Sequence, residues 1–184
     1  MGYFMQSLFY VFLATSALLI GGCTSFVAPD FAARTSTSSQ PDRPAQRRVT
    51  FEKFASNVSA ANANEVMCRQ VGPIKTPGGG SFAEYLHSIF VQEFSLAASD
   101  TEGPPVMLTG SIITFDHGSI GWWKIGVDFK SSNGNEASIE TLYRFHSNWY
   151  GNKACELTAN ALLPAARSLV TRALESPGFV KLTQ

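Results

Sequence analysis

The sequence has little charge and no excess of either sign. Its 184 residues include 14 Lys or Arg and 14 Asp or Glu, so the formal net charge at pH 7 is zero. A dedicated nucleic-acid-binding protein needs a basic face that displaces the counterions around the phosphate backbone. The balanced charge therefore predicts no nucleic-acid partner. The basic residues that do gather lie in a segment without apolar periodicity: Arg34, Arg43, Arg47 and Arg48.

Histidine is scarce as well, and no catalytic or metal-binding motif is present. His87, His117 and His146 are far apart and lack the short spacing of zinc ligands. Ser81 and Ser111 do not lie in a G-x-S-x-G pattern, and no paired carboxylates stand out. We therefore predict no catalytic residues, no metal and no cofactor, although catalytic groups that converge from distant positions leave no such pattern.

The loop from Gly72 to Ser81 has the composition of a phosphate-binding loop. It places glycines and Lys75 before a predicted helix, but the lysine precedes the glycines and the pattern G-x-x-x-x-G-K-[ST] is absent. Two interpretations stay open, a strand-to-helix connection with a helix cap or an incidental anion site. The spacing of Ser81 and Glu84, three residues apart, favours the cap.

The most informative residue is a cysteine near the N-terminus. The run Tyr3–Gly22 carries no charge and leads into Leu19-Ile20-Gly21-Gly22-Cys23. This pattern resembles the lipobox of secreted bacterial lipoproteins. The resemblance implies that residues 1–22 are a signal peptide and that the thiol of Cys23 carries lipid. An uncleaved membrane anchor is the alternative, since no Lys or Arg precedes the apolar run.

The residues after the cysteine predict a location and a tether. In lipoprotein sorting an Asp after the lipidated cysteine signals retention in the inner membrane, so by resemblance Thr24 indicates the periplasmic face of the outer membrane. Residues 23–48 are rich in Ser, Thr, Pro, Ala and Arg, which predicts a lipidated N-terminus followed by a disordered tether. Residues 49–184 are then a periplasmic domain.

Apolar periodicity predicts an α+β fold for this domain. The order is β-α-β-β-β-α, a mostly antiparallel sheet of three to four strands with two helices on one face. A strand at Val66–Val71 precedes a helix that starts at Ser81. The other expected elements are strands from Val106 to Phe115 and from Trp123, a type I′ turn at Asn133-Gly134, a return strand, and a last helix capped by Asn152 that kinks or breaks at Pro164.

Two cysteines remain once Cys23 is lipidated. Because the compartment that the signal implies is oxidising, we expect a disulfide between Cys68 and Cys155 that joins the first strand to the last helix. Two buried free thiols are one alternative. A reactive Cys155, with its pKa lowered at a helix N-terminus, is the other.

In element order the domain resembles small outer-membrane lipoproteins of the YajG type and, less closely, auxiliary lipoproteins of envelope transport systems. The segments Cys68-Arg69-Gln70-Val71-Gly72-Pro73-Ile74-Lys75-Thr76-Pro77 and Ser81-Phe82-Ala83-Glu84-Tyr85 look like those of uncharacterised proteobacterial lipoproteins. The resemblance implies a membrane-anchored, non-enzymatic envelope component that interacts with a protein partner. A periplasmic carrier of lipid or small molecules is the alternative, and it needs a cavity. Trp122, Trp149 and Tyr150 form the expected interaction surface, unless they are sheet-end packing.

Overall fold

The computed structural model describes residues 24–31, 49–97 and 105–183. The predicted signal peptide, Cys23 and the greater part of the predicted tether, residues 32–48, lie outside the described residues. Among the helices within those ranges, none combines the length and the hydropathy needed to cross a bilayer.

The described residues form eight strands and four α-helices. The strands are β1 (Phe26–Val27), β2 (Val49–Phe51), β3 (Ala55–Ser56), β4 (Glu65–Cys68), β5 (Gly72–Lys75), β6 (Val106–Gly118), β7 (Trp122–Ser131) and β8 (Glu136–Arg144). The helices are α1 (Ser59–Asn62), α2 (Phe82–Ala97), α3 (Gly151–Glu175) and α4 (Pro177–Leu182), and a short 3-10 turn (Pro77–Gly79) precedes α2. The predicted α+β class is confirmed.

The larger sheet is mixed and has five strands. Strands β6, β7 and β8 form the expected antiparallel meander, but β2 and β3 both pair in parallel with the free edge of β6. The sheet is therefore larger and less antiparallel than predicted. Two- and three-residue strands carry too few side chains to show a period of two, which is why the sequence did not reveal them.

A second sheet of three strands corrects the prediction for Val66–Val71. This segment is not one strand, because the chain reverses after Cys68 and returns as β5, antiparallel to β4. Gly72-Pro73 begins β5 instead of ending a strand. Strand β1 lies parallel to β5 on its other side, with Phe26 opposite Ile74.

Helix α2 begins as the sequence predicts. The backbone N–H of Ser81 donates to a Glu84 carboxylate oxygen at 3.0 Å, and the Glu84 N–H donates to the Ser81 hydroxyl at 3.2 Å. This is the reciprocal capping box. Helix α3 begins one residue before the predicted cap Asn152, with Tyr150 as N-cap. The helix continues through Pro164, so the alternative of a break is wrong, while the alternative of a kink stays a prediction. Asn160, whose carbonyl loses its helical partner at the proline, is exposed to water.

The hairpin between β7 and β8 differs from the predicted type I′ turn. Gly134 has a φ of +88°, but Asn133 is not among the residues with positive φ. The Ser131 N–H donates to Asn135 O at 2.9 Å, and the Gly134 N–H donates to Ser131 O at 2.9 Å. The loop therefore has three residues with glycine at the left-handed position, the next most common hairpin solution.

Helices α2, α3 and α4 all pack on the same side of the larger sheet. The two predicted helices, α2 and α3, therefore share one face as expected, and α4 is an additional helix beyond the predicted stop at Ser176-Pro177. Trp123 and the alternate residues of β7 point toward the helices and are buried. The largest fully buried side chains belong to Trp123, Phe82, Phe90, Phe129 and Phe179. Rings fill this interior: Phe90 and Phe129 have centroids 5.4 Å apart, and Phe129 and Phe179 are 5.1 Å apart.

Residues 24–31 lie on the domain, where the sequence predicts a disordered tether. Phe26 and Ala28 are buried, and the Ala28 N–H donates to Lys75 O at 2.8 Å. The Tyr85 hydroxyl donates to Pro29 O at 2.8 Å, and the Phe31 ring lies under the Arg167 guanidinium at 4.9 Å. Two backbone pairings with β5 and these buried side chains give the segment a fixed place that its composition did not indicate.

Candidate interaction surface

Three connections of the chain meet at one end of the sheets. They are the β4–β5 turn with Arg69 and Gln70, the β6–β7 turn with Ser119 and Ile120, and the segment 145–150 between β8 and α3. We call this region the loop end. A cleft of about 420 Å³ opens between the three connections. It is lined by Arg69, Ile120, Phe145, His146, Ser147, Asn148 and Trp149.

The β4–β5 turn holds its two central residues in an unfavourable backbone conformation. Arg69 has a φ of 48° and Gln70 a φ of 58°, and the Val71 N–H donates to Cys68 O at 2.9 Å. Positive φ at both central positions is the type I′ pattern, which Asn and Gly usually supply. Left-handed backbone costs a residue with a Cβ about 1–2 kcal/mol. A type I′ turn with Arg69 and Gln70 in place of Asn and Gly indicates a role for these side chains that offsets the conformational cost.

The guanidinium of Arg69 joins the three connections. Its Nε donates to the Ser119 hydroxyl at 2.6 Å, and its Nη2 donates to Ser119 O at 2.9 Å. Its Nη1 reaches the carbonyl oxygens of Asn148 and Trp149 at 3.4 and 3.3 Å. The planar fork of an arginine can make such a set of contacts, and a lysine cannot.

A disulfide lies directly beneath this network. Cys68 and Cys155 are bonded, with their Cα atoms 5.8 Å apart and a sequence separation of 87. The expected pairing is present, so neither thiol is free. The bond attaches the β4–β5 turn to the first turns of α3. Close packing does the same, since a Cβ at Gly151 would lie 2.8 Å from a methyl group of Val71.

Exposed apolar side chains project from this rigid backbone. Trp149 is 97% exposed, Tyr150 80% and Ile120 79%. The Tyr150 N–H donates to the Asn148 side chain at 2.9 Å, and the Phe145 N–H donates to Gly121 O at 3.0 Å. The backbone is therefore ordered while the side chains contact almost nothing. Sheet-end packing does not account for Trp149 and Tyr150.

Trp122, the third residue of the expected surface, has a different environment. It is half-buried on the face of the larger sheet opposite the helices, and a Cβ at Gly118 would overlap its indole. The structure thus places Trp149 and Ile120 on one cleft, with Tyr150 next to Trp149 in sequence, and Trp122 on the neighbouring sheet face. Ile120 and Arg69 were not among the residues predicted for this surface. A large apolar residue in a tight turn, Ser119-Ile120-Gly121, was the available signal for the former.

The sheet face on which Trp122 lies is not covered by any helix of the described residues; we call it the open face. Its exposed apolar residues include Met107, Ile113 and Leu142, each between 42% and 47% exposed. Ion pairs lie among them, Lys124–Glu140 at 3.2 Å and Lys130–Glu136 at 3.0 Å. The open face thus has the mixed apolar and charged composition of an ordinary protein surface, which non-obligate interfaces share.

The histidines do not come together. His87 lies on α2, His117 near the end of β6, and His146 after β8. Burial lowers the pKa of His117, with a smaller opposing effect from the Asp116 carboxylate, and its ring stacks on Trp123 at 4.8 Å. In the described part of the chain no group of three or more His, Cys, Asp or Glu side chains is arranged to hold a metal ion.

The loop before α2 is a helix cap. The Glu84 carboxylate occupies the helix N-terminus, where the backbone N–H of Ser81 lowers its pKa and the nearby Lys53 acts in the same direction. An anion at this position would have to compete with that carboxylate. The structure thus favours the cap over the incidental anion site.

Comparison with solved structures shows that a protein from a proteobacterium has a similar fold. Protein XCC0632 from Xanthomonas campestris, assigned to the uncharacterised family DUF330, has a TM-score of 0.54 and 13% sequence identity; the match covers 83% of this chain and 95% of that one. At this identity the likeness shows a shared fold alone.

A PelC variant from Paraburkholderia phytofirmans, described as a dodecamer, has a TM-score of 0.34 and 17% identity over 70% of this chain and 95% of that one. This likeness is too weak to carry an argument. The sequence matches no known family and no curated protein.

Proposed function

We propose that this chain is a lipid-anchored protein of the proteobacterial outer membrane that acts without catalysis, as an interaction or assembly component for a protein partner. The observation that carries the proposal is the position of Thr24. Its carbonyl oxygen lies against Gly72, so close that a Cβ at Gly72 would overlap it. If Cys23 carries lipid, the anchor is joined to the folded domain directly and not through a long tether.

A direct junction restricts how the domain is oriented. Consecutive Cα atoms are about 3.8 Å apart, and Thr24, the residue after the proposed lipid attachment, lies against Gly72 of the smaller sheet. Lipid chains attached there hold the domain at the bilayer, each buried methylene contributing about 0.8 kcal/mol. A domain held at a fixed height and orientation suits an assembly component, whereas a carrier that shuttles between membranes gains from a long tether.

The interior also favours interaction over transport. A carrier of lipid or small molecules needs a cavity between the helices and the sheet. That space is filled by aromatic rings, including Phe82 against Phe115 at 5.0 Å and Phe115 against Trp123 at 5.3 Å. The open face is the surface that remains for a protein partner, because the helices cover the other face.

Two measurements test the proposal with the full chain expressed from its own signal sequence. A palmitate analogue should label the wild type and not Cys23→Ser, and the labelled protein should fractionate with outer membranes. A photo-crosslinking amino acid at Leu142 should yield one discrete adduct, identified by mass spectrometry, that is absent when the probe replaces Glu175 on the helix side. A mature protein with Met1 intact and an unmodified Cys23 thiol would contradict the anchor. Identical crosslinking from both positions would contradict the role of the open face.

A further inference from the structure

We propose that the loop end rests on the bilayer to which the lipid anchors the protein, with Ile120, Trp149 and Tyr150 in the interfacial region of that membrane. This inference depends on the proposed function only in requiring lipid at Cys23. It assigns a ligand, the phospholipid surface, to side chains whose exposure has no structural explanation within the domain.

The direction of the first strand shows which end of the domain the anchor must occupy. Strand β1 runs parallel to β5, with Phe26 opposite Ile74 and Val27 opposite Lys75. The same register places Thr24 beside Gly72, and the close approach of the Thr24 carbonyl to Gly72 agrees with it. Gly72 follows the β4–β5 turn, which is part of the loop end. A lipid on the preceding residue therefore leaves the domain at this end.

The contacts around the turn connect this exit point to the exposed side chains. Val71, beside Gly72, packs against Gly151, the residue that follows Tyr150. Arg69, in the same turn, bonds the carbonyl oxygen of Trp149 at 3.3 Å and the backbone and hydroxyl of Ser119, which precedes Ile120. Each exposed apolar residue is thus held by, or adjacent to, a group that contacts the turn beside the anchor.

The side chains have the chemistry of the bilayer interface. Trp and Tyr are enriched there because their rings are apolar while the indole N–H and phenol hydroxyl reach water. The residues that line the cleft include Arg69 and His146 but no carboxylate, so nothing in the lining repels anionic headgroups. The exposed ion-paired carboxylates Glu136 and Glu140 belong to the open face and not to the cleft.

A protein partner is the competing occupant, and the position of the anchor favours the membrane. Acyl chains attached within one residue of Thr24 bring lipid to the loop end whenever the protein is in its mature form. A protein that bound Trp149 would have to displace the bilayer surface from this end. The open face needs no such displacement, since it runs along the sheet away from the turn.

Brominated phospholipids, which quench tryptophan on contact, test the proposal. Full-length lipidated protein is reconstituted in phosphatidylethanolamine–phosphatidylglycerol vesicles with and without bromine on the acyl chains. The Trp149→Phe variant should lose at least about half of the bromine-dependent quenching, while the matched Trp122→Phe variant keeps most of it. Trp149 makes few contacts, so its replacement leaves the fold intact.

The outcomes separate this inference from the proposed function. In one outcome the protein floats with the vesicles and mass analysis shows lipid on Cys23, but Trp149 fluorescence is quenched by aqueous acrylamide and not by brominated lipid. The proposed membrane contact would then be wrong, while the lipid anchor would stand. Protection of Trp149 from both quenchers would indicate that a second copy of this chain covers it, since no other protein is present, and would also overturn the inference. Failure of the protein to float with vesicles, with an unmodified Cys23, would instead refute the proposed function.

Discussion

Trp123 and Trp149 show how differently two regions of the domain use the same residue type. Trp123 is fully buried beneath the helices, and its indole N–H donates to Thr158 O at 2.9 Å. Trp149 is 97% exposed on a backbone that Arg69 and the disulfide hold in place. Aromatic rings in the core stabilise the fold, whereas those at the loop end add little to it. The packed core beneath the helices and the Cys68–Cys155 disulfide stabilise the fold. The side chains of the loop end are therefore free to contact another surface.

The largest effect is expected from removal of the Cys68–Cys155 disulfide, which attaches the β4–β5 turn to helix α3. In the chain-entropy model, closing a loop of 87 residues stabilises the fold by about 4.6 kcal/mol. The double variant Cys68→Ala/Cys155→Ala should lose about that much free energy of unfolding in a urea titration at equilibrium. Its urea midpoint should match that of reduced wild type more closely than that of oxidised wild type. Equal midpoints for all three would show that the bond does not support the domain.

Replacing each tryptophan by alanine compares the two regions directly. Trp123→Ala removes a fully buried ring and the indole hydrogen bond to Thr158 O, so the free energy of unfolding should fall by about 4 kcal/mol. Trp149→Ala should change it by less than about 0.5 kcal/mol. Thermal and urea unfolding of the two variants measure the difference. A loss above about 2 kcal/mol for Trp149→Ala would mean that the loop end has a structural role after all.

The rigidity of the loop end depends on Arg69. Arg69→Ala removes the hydrogen bonds to Ser119, Asn148 and Trp149 and should cost about 1 kcal/mol, because the freed carbonyl groups can bond water. Amide hydrogen exchange at residues 119–121 and 147–151 should quicken while exchange in β7 is unchanged. Arg69→Lys is the matched control, keeping the charge without the fork. If exchange in Arg69→Ala equals that of wild type, other contacts hold the three connections together.

The long elements were predictable from the sequence because their periods are clear. Strict alternation marks β7 and β8, and apolar spacing of three and four marks α2 after the capping box of Ser81 and Glu84. The short parallel strands were not predictable, since β2 and β3 depend on pairing with β6, whose paired residues are 57 and 56 positions further along the chain (106 − 49 and 111 − 55). The β4–β5 turn was hidden because Arg69 and Gln70 replace the Asn and Gly that usually mark such turns.

The candidate surface could be predicted only in part. Apolar composition drew attention to Trp149 and Tyr150, but composition does not distinguish a ring that packs from one that projects. The position of Thr24 beside Gly72 could not be predicted from the sequence, because the segment Thr24–Phe31 has the composition of a linker. Contacts with β5, Tyr85 and Arg167 hold this segment on the domain. The disulfide could be predicted from the number of cysteines together with the oxidising compartment that the signal implies.

The smallest expected effect concerns His117, which lies between the two regions, stacked on Trp123 and one residue from Gly118. Burial lowers its pKa below the ordinary value of 6.5. As the pH falls through 6.5 the unfolded chain therefore takes up a proton that the folded protein still excludes, and the free energy of unfolding decreases until the pH reaches the folded pKa. Above 6.5 the histidine is neutral in both states and contributes no slope. Urea titrations between about pH 5.5 and pH 7.5 should show a shallower loss of stability on acidification for His117→Gln than for wild type. An unchanged slope in His117→Gln would mean that the folded protein protonates this ring without losing its contact with Trp123. The packing between the core and the loop end would then be less rigid than the structure indicates.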